Sequence, residues 1–390
     1  MTIQTLNNID ISNKIILLRT DLNVPVQDGV VTDTTRIDRV KPTIDYLLQH
    51  GAKRIIVLSH FGRPKGKENP EFSLSFLPEI LSQQWGVDVG FGKDATEQIT
   101  LLENLRFHPG EEKNDPAYAQ QLASLGDVFV NDAFSCAHRA HASTEGIAHL
   151  MPAVAGLLME AEISALNNAL EAPKNPVMAI VGGAKISTKL SVLNNLVTKV
   201  DYLVLGGGMA NTFLAAQGYD MGASLMEEDM LDEARMIMRS ADKEKCSIIL
   251  PVDMSVVEKL APGVPYEQAS IKAFPVNKSA VDAGEQSIQN AINQMNKCKT
   301  LLWNGPMGVF EIPPFDAGTN KIAQHAAQLT RNGDILSVAG GGDTVAALEN
   351  AKVIDEFSYI STAGGAFLEW IEGKSLPGVT AISTQQKDAA

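Results

Sequence analysis

Ten short apolar runs, nearly all followed by a polar or glycine-rich cluster, alternate with segments of helical length and period, and this rhythm constrains the fold most. KIILLR (14–19), RIIVLS (54–59), TLLENL (100–105) and DVFVND (127–132) lie in the first half. VMAIVG (177–182), YLVLGG (202–207), SIILPV (247–252), TLLWNG (300–305), DILSVAG (334–340) and FSYIST (357–362) lie in the second. Parallel strands need crossover connections, usually helices, so the pattern predicts an α/β fold with mainly parallel sheets. Ligands of open α/β sheets sit beyond the carboxyl ends of the strands, which directs attention to those clusters. At 390 residues the chain exceeds one ordinary core, so two domains are expected, although a single large α/β barrel also fits the length.

The halves end their strands differently. Up to residue 170 there are 11 of the 31 glycines, none adjacent, but seven of the ten arginines and six of the seven histidines. Beyond it come Gly182-Gly183, Gly206-Gly207-Gly208, Gly340-Gly341-Gly342 and Gly364-Gly365. Arginine and histidine at strand ends suit a small, highly anionic ligand gripped by side chains. Glycine clusters suit phosphates approached by backbone N–H groups at helix N-termini. The boundary is placed at EAPKNP (171–176), after a helical stretch from about Leu157 to Leu170 that serves as connector. This gives domains at 1–170 and from 171 onward.

Composition removes other classes. Lys plus Arg number 32 and Asp plus Glu 46, a net charge of −14, which excludes a nucleic-acid binder held by bulk charge. Cys136, Cys246 and Cys298 are too few and too far apart for a disulfide framework or a CxxC metal site. The N-terminus has no signal pattern and no apolar run approaches the roughly 20 residues that span a bilayer, so a cytoplasmic protein with no membrane partner is expected.

In RTDLNVP (19–25), Asp21 and Asn23 alternate past a strand; they offer groups to hydroxyls and a carboxylate on one side, or form an ordinary turn. Arg36 follows in TTRIDR, as a ligand or a solvated helix residue. SHFGRP (59–64) brings His60 and Arg63 off a strand, with Gly62 allowing a tight turn, so that two cations face a phosphate, or makes a capped loop. ENLRFH and NDAFSCAHRAHAS add Arg106, His138, Arg139 and His141 beyond two more strands. Four strand ends delivering Arg or His in an acidic chain favour one shared anion.

GGAKISTK (182–189) follows a strand and opens a helix, with Lys185 and Lys189 four apart on one face, for a phosphate chain or for solvent. It is not Walker A: the GKS at 373–375 has Leu368 where the first glycine belongs. GGGMANTF and AGGGDT repeat the strand-glycine-helix device, but Asn211 and Val345 break GxGxxG, which counts against a dinucleotide site. Asp343 is a helix cap or, beside a nucleotide, a magnesium ligand. Glu311 in WNGPMGVFE accepts from ribose hydroxyls or caps a helix, and Gly364 and Gly365 open a last helix with free N–H groups.

RTDLNVP, SHFGRP, LLENLRFH, NDAFSCAHRAHAS, IVGGAKISTK, LGGGMANTF, LWNGPMGVFE, AGGGDT and STAGGAFLEWIEGK, in order from Arg19 to about Gly378, together resemble the phosphoglycerate kinase family. The resemblance implies two Rossmann-like domains joined by a central hinge helix: one at 1–170 binding 3-phosphoglycerate, and one at 171–378 binding Mg·ADP or Mg·ATP. The tail, about 379–390, would pack back on the first domain. It implies that Asp21, Leu22 and Asn23 hold the glycerate end, that His60, Phe61, Gly62, Arg63, Arg106 and Arg139 bind its phosphate, and that Arg36 lies at the reacting carboxylate. Gly183, Ala184, Lys189, Gly208, Asn304 and Glu311 would hold the nucleotide. Gly341, Gly342, Asp343 and Thr344 would cradle phosphate with Asp343 on Mg2+, while Arg36, Lys185, Gly341 and Gly364 would serve the transferring group. A monomer is implied. One departure is Ala363, where the family's last loop usually has the first of three glycines. A Rossmann dehydrogenase and a non-catalytic metabolite-binding protein are the competing readings; the broken GxGxxG opposes the first, and Arg36, Lys185, Lys189 and Asp343 oppose the second.

Overall fold

The apolar runs become two six-stranded parallel sheets. The computed structural model describes residues 3–383. In the first sheet β1 (Ile15–Arg19), β2 (Arg54–Leu58), β3 (Val89–Phe91), β4 (Ile99–Leu101), β5 (Val128–Asn131) and β6 (Ala153–Ala155) lie in the order β3-β4-β2-β1-β5-β6. Continuous apolar runs form these strands because both faces are covered: Ile16, Leu17, Leu18, Ile55, Val57, Val128 and Val130 are buried, as parallel strands require.

The second sheet contains β7 (Val177–Val181), β8 (Tyr202–Leu205) and β9 (Ser247–Ile249), followed in sequence by an antiparallel insertion of β10 (Asp253–Val257), β11 (Glu267–Ser270) and β12 (Ser279–Ala283). It resumes with β13 (Thr300–Asn304), β14 (Leu336–Gly340) and β15 (Tyr359–Ser361), giving the order β9-β8-β7-β13-β14-β15, with the insertion ordered β11-β10-β12. Trp303 on β13 is fully buried and its indole N–H donates to Gly305 O at 2.7 Å, so the largest core side chain also fixes the turn after its strand.

The chain divides into Met1–Ile163 with Ser375–Ala390, and Ser164–Lys374. The division falls inside the helix Leu157–Leu166, ahead of the expected break at 170/171, because the start of that helix is bound to the first unit. Leu157 N donates to Thr43 Oγ1 at 3.1 Å and Met159 N to Asp132 Oδ1 at 3.0 Å. The helix does not end in a clean turn but continues through a π-helical turn at Asn167–Glu171. The chain rejoins the first unit at Ser375, before the expected 379: Gly378 N donates to Ala137 O at 2.9 Å, and Ile3 bridges Ser383. The rest of the expected tail, 384–390, lies outside the described residues.

Candidate functional site

In the first unit the carboxyl ends of β1, β2 and β5 deliver Arg19–Asn23, Ser59–Arg63 and Asn131–Arg139 to one place, because β1 pairs with both others in parallel. Asp21 lies at the centre. Its carboxylate accepts from Ser135 Oγ at 2.5 Å and Asn23 N at 3.1 Å, and pairs with the Arg36 guanidinium. Burial pushes this carboxyl up, but the Arg36 guanidinium and both hydrogen bonds hold it below the usual carboxylate range. It is an anion at all physiological pH.

One expectation changes here. His60 is not a cation: burial first, then the adjacent Arg19 charge, hold its pKa well below the usual histidine value. An Arg19 Nη group lies 3.2 Å from His60 Nδ1, so the ring is a neutral group whose Nδ1 faces a donor. Asn23 has a structural part besides: its Oδ1 accepts from Gly62 N at 2.9 Å and shapes the SHFGRP turn. Gly62 has φ +58°, and a Cβ there would lie 2.3 Å from the Phe72 ring, so only glycine fits. Phe61 is half-buried against Phe76, and Leu22 is buried, its N–H donating to Ser59 Oγ at 2.9 Å. These three shape the backbone rather than offering charge.

Arg106 is buried beneath this turn, donates to Gly62 O at 2.8 Å and pairs with Glu112 at 3.3 Å. Burial, and beyond it the neighbouring Arg139, lower its pKa, the signature of cations gathered where an anion would relieve them. Arg139 Nε donates to His138 Nε2 at 3.0 Å, and Arg63 is exposed. The residue that sequence reasoning passed over is Arg19. It is fully buried and donates from Nε to Ser143 Oγ at 2.9 Å, while Ser143 donates to the buried Glu111 at 2.6 Å. A terminal arginine on an apolar strand was the available signal. Asp21, His60 and Cys136 also bring three metal-type donor atoms within 4.8 Å of one another. Arg36 and Arg19 already engage the first two, so the cluster does not offer an ion a free set of donors.

The second unit builds with backbone. Three glycine segments meet beyond β7, β8 and β13: Met209 N donates to Gly183 O at 3.0 Å and Gly207 N to Met307 O at 2.8 Å. A Cβ on Gly207, whose φ is +67°, would lie 2.6 Å from Gly183 O, and one on Gly208 would lie 2.6 Å from Ala184 O. Gly207→Ala should therefore cost at least about 1–2 kcal/mol from left-handed strain alone, before the carbonyl clash. Chemical denaturation checks this, and an unchanged midpoint would contradict it.

Lys185 and Lys189 do not share a helical face, contrary to the spacing argument. The helix begins only at Leu190, because Ser187 turns to Glu227 through N at 3.0 Å and Oγ at 2.5 Å. Lys185 is exposed, whereas Lys189 Nζ donates to Gly182 O at 2.7 Å and Asn304 O at 3.0 Å. Burial lowers Lys189 to about 8, against the opposing pull of Asp343. Asn304 Nδ2 donates to Gly340 O at 2.7 Å, and Gly305 N donates to the buried Thr344 Oγ1 at 2.7 Å, which tie β13 to the AGGGDT turn. Gly341 caps the helix Gly342–Asn350 with φ +99°, so Asp343 is not its cap but an exposed carboxylate in the first turn. Gly364 caps the helix Gly365–Ile371 with φ +54°. Ala363 is not among the described residues of positive φ, so its methyl is compatible with this loop.

A cavity of about 580 Å³ opens among these segments. Leu225, Met254, Leu260 and Val281 form an apolar side, and Gly183, Ala184, Gly208, Glu311 and Asp343 also line it. An apolar slot beside glycine turns, a carboxylate and a lysine matches a nucleotide: ring in the slot, phosphates on the backbone. Asp343 fits Mg2+, since an exposed carboxylate at a phosphate-binding turn is the hard oxygen donor that ion takes.

Comparison with known proteins points to one family. The family model described as phosphoglycerate kinase matches residues 6–374. A phosphoglycerate kinase of Rhodospirillum centenum is 54% identical over 395 residues, covering 98% of this chain and 100% of its own. One from Sinorhizobium medicae is 54% identical over 401 residues, covering 99% and 100%. Among solved structures, phosphoglycerate kinase from Coxiella burnetii superposes with a TM-score of 0.92 at 42% identity, covering 97% of this chain and 98% of its own. That of Pyrococcus horikoshii gives 0.77 at 29% identity, with the same coverage.

Proposed function

This chain belongs to the phosphoglycerate kinase family, and from that premise we propose how its two sites divide the reaction. The reaction interconverts 3-phosphoglycerate and ATP with 1,3-bisphosphoglycerate and ADP. In our reading the first unit holds 3-phosphoglycerate by side chains and the second holds the nucleotide largely by backbone. The observation that carries it is the contrast between a buried cluster of arginines around Asp21 and His60 and three interlocked glycine turns beside an apolar cavity.

Arg63, Arg106 and Arg139 with neutral His60 receive the glycerate phosphate, Asp21 takes the hydroxyl, and Arg36 lies at the reacting carboxylate. Glu311 meets the ribose, and Lys189 with the Gly341–Thr344 turn holds the phosphates. Asp343 would hold Mg2+ together with phosphate oxygens, and the bound ion would neutralise polyphosphate charge. A carboxylate oxygen of 3-phosphoglycerate attacks the γ-phosphorus and the bond to ADP breaks. The nucleophile, with a pKa of roughly 3.5–4, is already ionised near neutrality, so no proton is removed and no general base is needed. What remains is alignment, worth up to about 7–11 kcal/mol, and charge stabilisation by Arg36, Lys185 and the amides of Gly341, Gly364 and Gly365. Because the ligands bind different units, a closing motion at the connector helix would commit both and exclude water from the acyl phosphate. The proposal includes a cytoplasmic monomer: each site is built within one chain, and all three cysteines are free and buried.

The direct test measures ADP formation from ATP and 3-phosphoglycerate with product removal; no ADP above the rate without 3-phosphoglycerate would refute the assignment. A second test uses pH. Lys189 titrates near 8, so nucleotide affinity should weaken as pH rises from 7 to 9, when its positive charge is lost. ADP titrations that stay flat to pH 9 would remove Lys189 from the phosphate site.

A further inference from the structure

Asp282 is a buried carboxylate on β12 that the chemistry above does not use. Its Oδ2 accepts from Gly318 N at 2.7 Å and its Oδ1 from Ala283 N at 2.9 Å. Gly318 lies in the first turn of the helix Ala317–Arg331, whose own cap residue, Asp316, makes no side-chain cap bond. The carboxylate also fits against the turn after β13. A Cβ on Gly308 would lie 2.4 Å from Asp282 Oδ1, and one on Gly318 would lie 2.5 Å from it. Both glycines therefore leave room for the same oxygen. The turn is pinned nearby, with Val309 N donating to Val281 O at 2.8 Å and Met307 N to Thr319 Oγ1 at 3.0 Å.

This carboxylate thus joins a strand, a helix start and the Pro306–Glu311 turn, and all but the helix line the 580 Å³ cavity. Burying a carboxylate is costly, and the two N–H donors converging on it favour its ionised, acceptor-only form. An asparagine would place an amide N–H against one donor.

We propose that Asp282 is a positioning residue for the nucleotide: it seats the Pro306–Glu311 turn, and through that turn sets the wall carrying Glu311. This rests on the reading of the cavity as the nucleotide site. Burial raises its pKa to about 7 against the two backbone N–H bonds from Gly318 and Ala283, which lower it; Asp316 adds to the rise and Lys321 opposes it. Ser255, paired with it on β10, and Pro306–Phe310 of the turn carry no charge.

Steady-state kinetics of the full chain test this. Asp282→Asn leaves one buried N–H without an acceptor, so the KM for ATP should rise roughly tenfold or more, with kcat and the KM for 3-phosphoglycerate within about twofold. In the wild type the KM for ATP should also rise as pH falls below about 7, when the carboxyl protonates. The phosphates of ATP titrate there too, but identically in both proteins, so the component absent from Asp282→Asn belongs to Asp282. Gly308→Ala, which drives a methyl onto Oδ1, should reproduce the KM effect and carries the test if Asp282→Asn fails to fold. An unchanged KM for ATP with identical pH profiles, or parallel loss of kcat and both KM values, would overturn the proposal. Ala280→Phe, which fills the cavity, separates the two readings: if it leaves ATP binding intact, the nucleotide site itself is misassigned.

Discussion

Arg36→Ala should lower kcat by roughly 10²–10³-fold while leaving nucleotide affinity nearly unchanged, the size expected when one preorganised donor to developing charge is lost. In the proposed reading Arg36 is the arginine that serves the transferring group. It is half-exposed, unlike Arg19 and Arg106, and its partner Asp21 stays ionised and keeps it oriented. Arg36→Lys keeps the charge but loses the planar fork, so it should fall between the two. The pair is partly exposed, so its contribution to stability is small, below about 1 kcal/mol, and thermal melts should barely move. Equal losses in kcat and in ADP affinity, measured by steady-state kinetics and ADP titration, would remove Arg36 from the transferring group.

Asp343→Ala should raise the Mg2+ concentration for half-maximal activity by at least roughly 10–100-fold. The carboxylate stands in the first turn of a helix whose cap is Gly341, so its removal leaves the cap geometry intact. MgADP binding should weaken, whereas ADP measured in chelator should bind nearly as in the wild type. Calorimetry with and without the metal reads this directly. If both titrations weaken equally, Asp343 acts on the phosphates or on the loop and not on the ion.

Long apolar runs were legible in the sequence because burial on both faces leaves few other ways to write a parallel strand. RIIVL, VMAIV and TLLWN became β2, β7 and β13 almost to the residue. Among the strands not foreseen, Val89–Phe91 and Ala153–Ala155 have three residues each, and β11, with only Ala269 buried, presents mainly polar residues to solvent. The Arg/His and glycine contrast between halves is written in the sequence, and in each unit those residues gather at strand ends. What stayed hidden was how neighbours change a residue's chemistry. His60 reads as a cation until burial and then Arg19 keep it neutral, and Lys185 and Lys189 read as a helical pair until Ser187 turns to Glu227. The part Asn23 plays in shaping the Gly62 turn was not legible, and Asp282 gave no signal because its partners come from segments 26 and 36 residues away. Each depends on contacts distant in sequence.

The division of labour between the two units is tested most directly by amide hydrogen exchange with one ligand at a time. With 3-phosphoglycerate alone, exchange should slow at 20–24, 59–63, 105–106 and 135–141 and not at 182–189 or 340–344. MgADP alone should do the reverse. Protection of the glycine turns by 3-phosphoglycerate, or of the arginine cluster by MgADP, with no effect at the assigned segments, would contradict the account.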